Sequence, residues 1–289
     1  MPNGIIIVNK PAGWTSHDVV AKLRGIFHER RIGHAGTLDP MATGVLPVFV
    51  GRATRAVEFM ETATKAYDAG LLLGLTTDTQ DTTGEELERK PVTVTRADVE
   101  NVLPRFRGQI SQIPPMYSAV KIGGQKLYQI ARKGGEVERK PRQVEIFALD
   151  LLSGDGSEYM LHIDCSKGVY VRTICADIGD ALDCGGCMSS LVRTRAGEYT
   201  LDDAFTMEEI IAHGEAGTAE SLLRSVDTLF DYPKLTVSEK NEKKCRNGNA
   251  FSANVEDGNY RVYAKDGTFL MAGRAEKGKM YTIKSFFEV

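Results

Sequence analysis

Apolar positions along the chain follow two spacings, and each spacing predicts one kind of element. Short alternating or continuous apolar runs, as at residues 4–8, favour β-strands, whereas apolar side chains three or four positions apart, as at 16–27, favour an amphipathic helix. The pattern predicts a mixed α and β protein. Predicted strands are residues 4–8, 66–73, 144–152 and 159–165, and predicted helices are residues 16–27, 52–60, 96–106, 174–182 and 207–213.

Two predicted helices begin with capping signals, and the pattern of predicted elements changes near residue 232. Ser16 is the predicted N-cap of the first helix, and Thr95 with Asp98 forms a capping-box pattern. After Tyr232, short β-type segments alternate with turns, and the Asp266-Gly267 pair signals a hairpin. We therefore predict a main domain over residues 1–232 and a small all-β domain over residues 233–289.

Composition places the chain among ordinary globular proteins. Its 289 residues are 42% hydrophobic and 26% charged, which is typical of a folded protein with a substantial core. No apolar run approaches the roughly 20 residues that cross a bilayer, and residues 4–8 lack a basic leader. Together with five cysteines, an odd number, this predicts a reduced, cytoplasmic protein without a membrane partner. Nothing suggests a strong self-interface, so we expect a monomer.

Positive charge is concentrated although the formal net charge is −3. Residues 121–142 contain seven Lys or Arg and two Glu, and a second basic group between residues 24 and 34 leads into the segment that contains Asp39. Residues 198–231 carry nine acids and one Arg. Basic patches attract polyanions, whereas an isolated patch is often only a solvated surface. The candidate nucleic-acid surface consists of Lys121, Lys126, Arg132 and Lys133.

One carboxylate, Asp39, lies in a segment whose glycines and prolines control the backbone conformation on both sides of it. Gly36 and Gly44 permit conformations and close approaches that a Cβ would forbid. Pro40 fixes its own φ and favours an extended Asp39. The pattern predicts a rigid loop at residues 33–47 that presents the acid to a closely approaching group. A tight turn, in which Asp39 bonds only its own backbone, is the alternative.

A second informative run covers residues 165–173. If the chain is extended there, Tyr170 and Arg172 point to the same side. The simpler interpretation is a half-buried strand end with an amphipathic Tyr and Arg. The functional interpretation pairs Arg172 with Asp39, because a nearby cation lowers a carboxylate pKa and an ionised, oriented Asp can act as a nucleophile.

Two other motifs predict no cofactor or metal. Cys184 and Cys187 have CxxC spacing, but the remaining cysteines supply no second ligand pair and no thioredoxin-like context surrounds them. Residues 273–279 almost spell a phosphate-binding loop, but Met280 follows where Ser or Thr would bind magnesium. We interpret that run as a β-turn.

Six segments resemble, in order, the TruB family of bacterial tRNA pseudouridine synthases, and the resemblance covers nearly the whole chain. The match at residues 34–47, which contains Asp39, is long and specific. Departures occur near Leu191, where Cys187, Met188 and Val192 replace the usual His-Leu and second arginine. The segments are Asn-Lys-Pro-Ala-Gly-Trp-Thr-Ser at 9–16, His34 to Pro47, Lys-Ala-Tyr at 65–67 with residues 74–81, Ile-Pro-Pro-Met-Tyr-Ser-Ala-Val-Lys at 113–121, Ser166 to Thr173 and Leu-Val-Arg-Thr at 191–194.

The resemblance implies an isomerase that converts uridine 55 of the tRNA T-loop to pseudouridine without a cofactor. It implies an α/β (α+β type) pseudouridine synthase fold with a largely antiparallel central sheet flanked by helices. It adds a basic RNA-clamping insertion at about residues 110–142 and a PUA-like C-terminal domain. The implied catalytic residues are Asp39, Arg172 and Tyr67, and the implied substrate-binding residues are His34, Tyr67, Tyr170, Leu191 and Lys10.

Two other functions fit some of the same residues. A non-catalytic factor that opens and refolds tRNA would use the same basic surfaces. A two-carboxylate glycoside hydrolase would need a proton-donating acid beside Asp39. Asp78 and Asp81 lie in a polar loop at residues 76–84, and we interpret them as turn formers.

Overall fold

The computed structural model describes residues 2–287, which form two sheets, two short hairpins and seven α-helices. The helices are α1 (Ser16–Phe27), α2 (Val57–Met60), α3 (Arg96–Val102), α4 (Leu127–Ala131), α5 (Val171–Ala181), α6 (Met207–Glu215) and α7 (Glu239–Arg246), with 3₁₀ segments at Gly51–Ala56, Leu103–Phe106, Leu201–Asp203, Ala219–Leu222 and Val226–Leu229. The strands are β1 (Gly4–Lys10), β2 (Ile32–His34), β3 (Thr43–Val50), β4 (Lys65–Leu73), β5 (Leu75–Thr77), β6 (Glu86–Arg89), β7 (Gly108–Gln112), β8 (Lys121–Ile122), β9 (Gln125–Lys126), β10 (Arg142–Asp155), β11 (Glu158–Cys165), β12 (Gly186–Ala196), β13 (Tyr199–Thr200), β14 (Lys234–Thr236), β15 (Phe251–Ser252), β16 (Gly258–Tyr263), β17 (Phe269–Glu276) and β18 (Lys279–Ser285).

The larger sheet is mixed and mostly antiparallel, as predicted. Its order is β1-β3-β12-β4-β11-β10-β7, with β2 added to β3 and β13 added to β12. Every pairing in this sheet is antiparallel except that of β3 with β12. Apolar residues of α1 and α5 are buried in one core with alternate residues of β4, because side chains two apart on a strand share a face.

The outer edge of β1 is hydrogen-bonded to backbone groups near the end of the main domain. Ile5 and Arg224 exchange backbone hydrogen bonds, each 2.8 Å. Phe205 is held in the same way, by donating to Ile7 and accepting from Asn9, each at 2.9 Å. The strand therefore completes its hydrogen bonding with residues about 200 positions further along the chain.

A basic excursion, defined as residues 113–141, leaves the sheet between β7 and β10. These two strands pair directly, with Gln112 opposite Arg142, so the excursion begins and ends at one point of the sheet. It contains the β8–β9 hairpin and α4. The predicted basic insertion at about residues 110–142 corresponds to this segment.

The C-terminal sheet has the order β14-β16-β17-β18-β15. It packs on the main domain through aromatic rings: the Phe230 ring lies 5.9 Å from Phe286, which stacks 5.4 Å from Phe269. The run at 273–279 ends β17 and turns into β18, which confirms the interpretation as a β-turn.

Several local predictions need correction. Thr15, not Ser16, caps α1, because Thr15 and Asp18 complete a capping box. The predicted helix at 52–60 is a 3₁₀ segment followed by α2, and that at 96–106 changes from α3 into a 3₁₀ segment at Leu103. Among residues 2–287, no helix is both long and apolar enough to span a bilayer.

Tyr170 and Arg172 are not extended, so the condition under which they would share one face of a strand is not met. Tyr170 is the N-cap of α5, and Arg172 lies in its first turn. The strand before them ends at Cys165, and Gly168 turns the chain with φ +83°, a conformation that glycine adopts without strain.

Candidate active site

Asp39 lies in the Asp39 loop, residues 33–47, which joins β2 to the start of β3, and Arg172 contacts it from α5. Arg172 Nε lies 3.1 Å from Asp39 Oδ2, and Nη2 lies 3.5 Å from Oδ1. The Asp39 side chain is 37% exposed, whereas that of Arg172 is only 7% exposed. The structure thus brings together two residues that are 133 positions apart, and it leaves the carboxylate open to an approaching molecule.

Arg172 is the centre of a wider hydrogen-bond network. Its Nη1 donates to the Thr79 carbonyl at 3.0 Å and lies 3.4 Å from Asp81 Oδ2, and its Nη2 donates to the Tyr117 carbonyl at 2.9 Å. Because a guanidinium presents its donors in a fixed planar fork, these partners define its orientation toward Asp39.

Asp81 has a second role that the turn interpretation missed. Its Oδ1 accepts turn-type hydrogen bonds from Thr79 and from the backbone and hydroxyl of Thr83, whereas its buried Oδ2 pairs with Arg172. The composition of residues 76–84 indicated only a polar turn, because the distant arginine is not visible in that local pattern.

The pKa of Asp39 is raised from its ordinary value. Burial is the largest cause, and Asp81 adds to it, whereas Arg172 and Lys10 act in the opposite direction. Arg172 therefore lowers the pKa of the carboxyl, as expected, but offsets only part of the effect of burial. A less solvated carboxylate is also a stronger base.

Arg193, on β12, holds the two ends of the Asp39 loop and was not among the predicted site residues. Its buried guanidinium donates from Nε to the Val45 carbonyl at 2.6 Å and from Nη2 to the Gly36 carbonyl at 3.0 Å. A Cβ at Gly44, whose φ is +101°, would overlap the Arg193 carbonyl oxygen. The sequence signal was its place in the Leu-Val-Arg-Thr segment at 191–194, which did not show what the guanidinium bonds.

Lys10 and Ser16 hold the middle of the same loop. Lys10 is fully buried, and its Nζ donates to the carbonyls of Trp14 at 2.6 Å, Pro11 at 2.9 Å and Pro40 at 3.3 Å. Burial, with Arg193 nearby, lowers the pKa of Lys10 to about 8. Ser16 Oγ bonds both the backbone N–H and the carbonyl of Leu38. These contacts place Lys10 under the loop as a support.

Tyr67 and Leu191 are buried on neighbouring strands. Tyr67 on β4 lies opposite Arg193, and Leu191 on β12 lies opposite Ala69. Burial raises the pKa of Tyr67, while Arg193 acts to lower it. Tyr67 therefore carries its proton at neutral pH.

His34 and Tyr170 are partly buried. Burial, followed by the charges of His17 and Arg193, lowers the pKa of His34 to about 4, so its ring is neutral at physiological pH. The His17 and His34 rings meet edge to face at 6.1 Å. The backbone N–H and carbonyl of Tyr170 are both bonded to the side chain of Gln112.

The four predicted RNA-contacting residues all lie on the basic excursion. Lys121, Arg132 and Lys133 are exposed and Lys126 is half-buried. The Arg132 guanidinium and the Lys126 amine lie 5.5 and 5.6 Å from the Tyr128 ring centroid. They form a positive surface on the segment whose Tyr117 carbonyl contacts Arg172.

Within residues 2–287, no group of three or more His, Cys, Asp or Glu side chains is arranged to hold a metal ion. All five cysteines are buried as free thiols. Burial raises the pKa of Cys187 to about 11, so this member of the CxxC pair is a neutral thiol at physiological pH.

Comparison with known proteins places this fold and site in one family. Residues 24–171 match the N-terminal domain of TruB family pseudouridylate synthases, and residues 172–230 match the tRNA pseudouridylate synthase B C-terminal domain. The chain is 47% identical over 254 residues to the tRNA pseudouridine synthase B of Bacillus cereus, covering 85% of this chain and 83% of the relative. The corresponding protein of Pseudomonas fluorescens is 45% identical over 285 residues, covering 96% and 93%.

A solved structure shares the whole architecture. The match to a Cbf5-Nop10-Gar1 complex has a TM-score of 0.73 at 26% identity and covers 98% of this chain and 85% of that chain. Fold and site define the chain as a pseudouridine synthase, an isomerase. It belongs to the TruB family, so the tRNA pseudouridine synthase class predicted from the sequence is confirmed at the level of the family.

Proposed function

We propose that this chain isomerises uridine 55 in the T-loop of tRNA to pseudouridine, with Asp39 as the nucleophile. The observation that carries the proposal is the contact between a partly exposed Asp39 and a buried Arg172. The relatives named tRNA pseudouridine synthase B support tRNA as the substrate.

The reaction rearranges one nucleotide without a change in composition. The bond from N1 of uracil to C1′ of ribose breaks, the base turns, and a bond from C5 to C1′ forms. The proton lost from C5 is balanced by one gained at N1, so no oxidant, reductant or cofactor is consumed. Asp39 attacks C1′ or C6, or removes a sugar proton to give a glycal, and each route needs a carboxylate held in place.

The other site residues position the base and the acid. Arg172 orients Asp39, and Tyr67 stacks on the uracil. A Tyr67 with a raised pKa serves as base for the C5 proton only if the bound substrate lowers that pKa. Tyr170 packs against the nucleotide, and Leu191 lines the floor near Tyr67.

Access to Asp39 requires the target nucleotide to leave its stack. Base flipping costs a few kcal/mol, and contacts between RNA phosphates and the basic excursion offset that cost. The neutral ring of His34 fills the space that the nucleotide vacates. The C-terminal sheet, which we propose to be PUA-like, extends the RNA-binding surface.

The test is pseudouridine mapping on unmodified tRNA with wild type, Asp39→Asn and a matched control, Asp150→Asn. Asp150 is also paired with an arginine, but its side chain is 58% exposed on β10. We expect modification at position 55 by wild type and the control, and at least a ~1,000-fold loss in Asp39→Asn with tRNA binding retained, about 4 kcal/mol of activation free energy.

Other outcomes contradict separate parts of the proposal. A smaller loss in Asp39→Asn excludes the nucleophile role, and modification at another uridine excludes the assigned position. A wild-type protein that refolds tRNA without isomerising it would instead be the non-catalytic folding factor that the basic surfaces also fit.

A further inference from the structure

Gln112, which directly precedes the basic excursion, connects it to α5, the helix that carries Arg172. It is the last residue of β7, and its side chain is 2% exposed. Its Oε1 accepts from the Tyr170 N–H at 2.8 Å and its Nε2 donates to the Tyr170 carbonyl at 3.0 Å. One amide thus satisfies both polar backbone groups of a residue 58 positions away.

The residue held in this way determines where α5 begins. Tyr170 is the N-cap of α5 and makes no capping hydrogen bond with its own side chain. Arg172 is the second residue of the helix. A displacement of the Tyr170 backbone therefore displaces the first helical turn and the guanidinium that contacts Asp39.

A second contact connects the same two segments. The Tyr117 carbonyl, inside the basic excursion, accepts from Arg172 Nη2 at 2.9 Å. Two contacts with α5 therefore lie at or beside the excursion: Gln112, directly before it, bonds the Tyr170 backbone, and Tyr117, inside it, bonds Arg172. A segment that carries RNA-binding charge is in this way attached directly to the group that orients the catalytic acid.

We propose that Gln112 is a positioning residue for the isomerisation. By holding the Tyr170 backbone, it places Arg172 against Asp39 and fixes the start of the basic excursion relative to the active site. The inference rests on the proposed function. Both polar atoms of the Gln112 amide are bonded to the Tyr170 backbone, so we assign Gln112 no contact with the substrate. Its removal should therefore slow chemistry and leave RNA affinity unchanged.

The test compares Gln112→Met with Gln109→Met, a substitution at an exposed glutamine of the same strand. Full-length variants are assayed for tRNA affinity and for single-turnover pseudouridine formation. For Gln112→Met we expect affinity within about twofold of wild type and a rate lower by at least ~10-fold, about 1.4 kcal/mol. Gln109→Met should match wild type in both.

The pH dependence of the reaction rate distinguishes a positioning role of Gln112 from a role in packing alone. Three charges act on Asp39: Arg172 and Lys10 lower its pKa and Asp81 raises it. If Gln112→Met displaces Arg172, the pKa of Asp39 rises and the acidic limb of the rate profile moves to higher pH. An unchanged rate, or a slower rate with an unmoved acidic limb, overturns the proposal.

A conservative variant keeps the inference testable if Gln112→Met folds poorly. Gln112→Glu retains an acceptor for the Tyr170 N–H, and as a buried, protonated carboxyl it also retains a donor. Its rate should lie between those of wild type and Gln112→Met, and a Glu variant no faster than the Met variant overturns the proposal. An inactive wild type would overturn the proposed function itself, which distinguishes the two failures.

Discussion

The Asp39 loop and the basic excursion both connect strands of the larger sheet and meet at Arg172, but they are built in opposite ways. The loop is fixed at its carbonyls and amides by buried Arg193, Lys10 and Ser16. The excursion exposes most of its cations and carries glycines such as Gly134, around which a Cβ would meet open space. Chemistry requires groups already in place, and the loop meets that requirement through its buried contacts. The excursion instead presents charge on an exposed surface with few constraints around its glycines.

Paired glycine substitutions are the most severe test of this difference. Gly44 and Gly134 both have positive φ, +101° and +73°. At Gly44, Ala would also overlap the Arg193 backbone, so we expect Gly44→Ala to lower the free energy of unfolding by at least about 3 kcal/mol. Gly134→Ala should cost about 1 kcal/mol, since only φ opposes it. Urea unfolding measures both, and equal costs would contradict the contrast.

Arg193→Lys tests whether the loop needs two-point support. Lysine keeps the positive charge but cannot bond the Gly36 and Val45 carbonyls in the geometry of a guanidinium. We expect a fall in pseudouridine formation of about 50-fold, about 2 kcal/mol, with tRNA affinity retained. Arg195→Lys on the same strand, which alters a half-exposed pair with Asp164, is the control. Full activity in Arg193→Lys would mean that charge alone suffices.

The excursion is tested by charge reversal. Arg132→Glu with Lys133→Glu should weaken tRNA binding about tenfold, about 1.4 kcal/mol. The slope of log affinity against log salt should fall by roughly 0.7–0.9 for each phosphate that is no longer neutralised. The single-turnover rate at saturating enzyme should change little.

The control for this reversal is an equal change of charge on another surface. Arg96 on α3 and Arg105 in the 3₁₀ segment that follows it are both exposed, and Arg96→Glu with Arg105→Glu should leave the salt dependence of tRNA binding as in wild type. If the Arg132 and Lys133 variant also keeps the wild-type slope, the RNA surface lies away from the excursion.

His34 gives the smallest effect, through pH. Its pKa is about 4 in the folded protein and near 6.5 in an unfolded chain. The unfolded state therefore binds more protons between these values, and stability falls as pH drops from about 6.5 to 4. His34→Gln should reduce this loss by on the order of 1 kcal/mol between about pH 7 and pH 5.5, as measured by urea unfolding at these two pH values. An identical loss in both proteins would mean that other groups cause it.

Local patterns predicted the parts of the site whose chemistry is local. The glycines and Pro40 marked the Asp39 loop, and apolar periodicity marked β4, β11 and α1. Arg193 escaped prediction because it bonds carbonyls 148 and 157 positions away, which no local pattern records. Gln112 escaped it for the same reason. Alternation alone does not show where a strand ends and a helix is capped, so the sequence left open whether residues 170–172 are extended, and they begin α5 instead.

The closing of β1 by Phe205 and Arg224 has a consequence for synthesis on the ribosome. The nascent chain emerges from its amino end. The outer edge of β1 therefore cannot form its hydrogen bonds to Phe205 and Arg224 until more than two thirds of the polypeptide has been made. Asp39 and Arg172 likewise emerge far apart in time. Contacts of such long sequence separation slow folding, and the pair of Asp39 and Arg172 is therefore assembled late, when the carboxyl-terminal half of the main domain returns to the first strand.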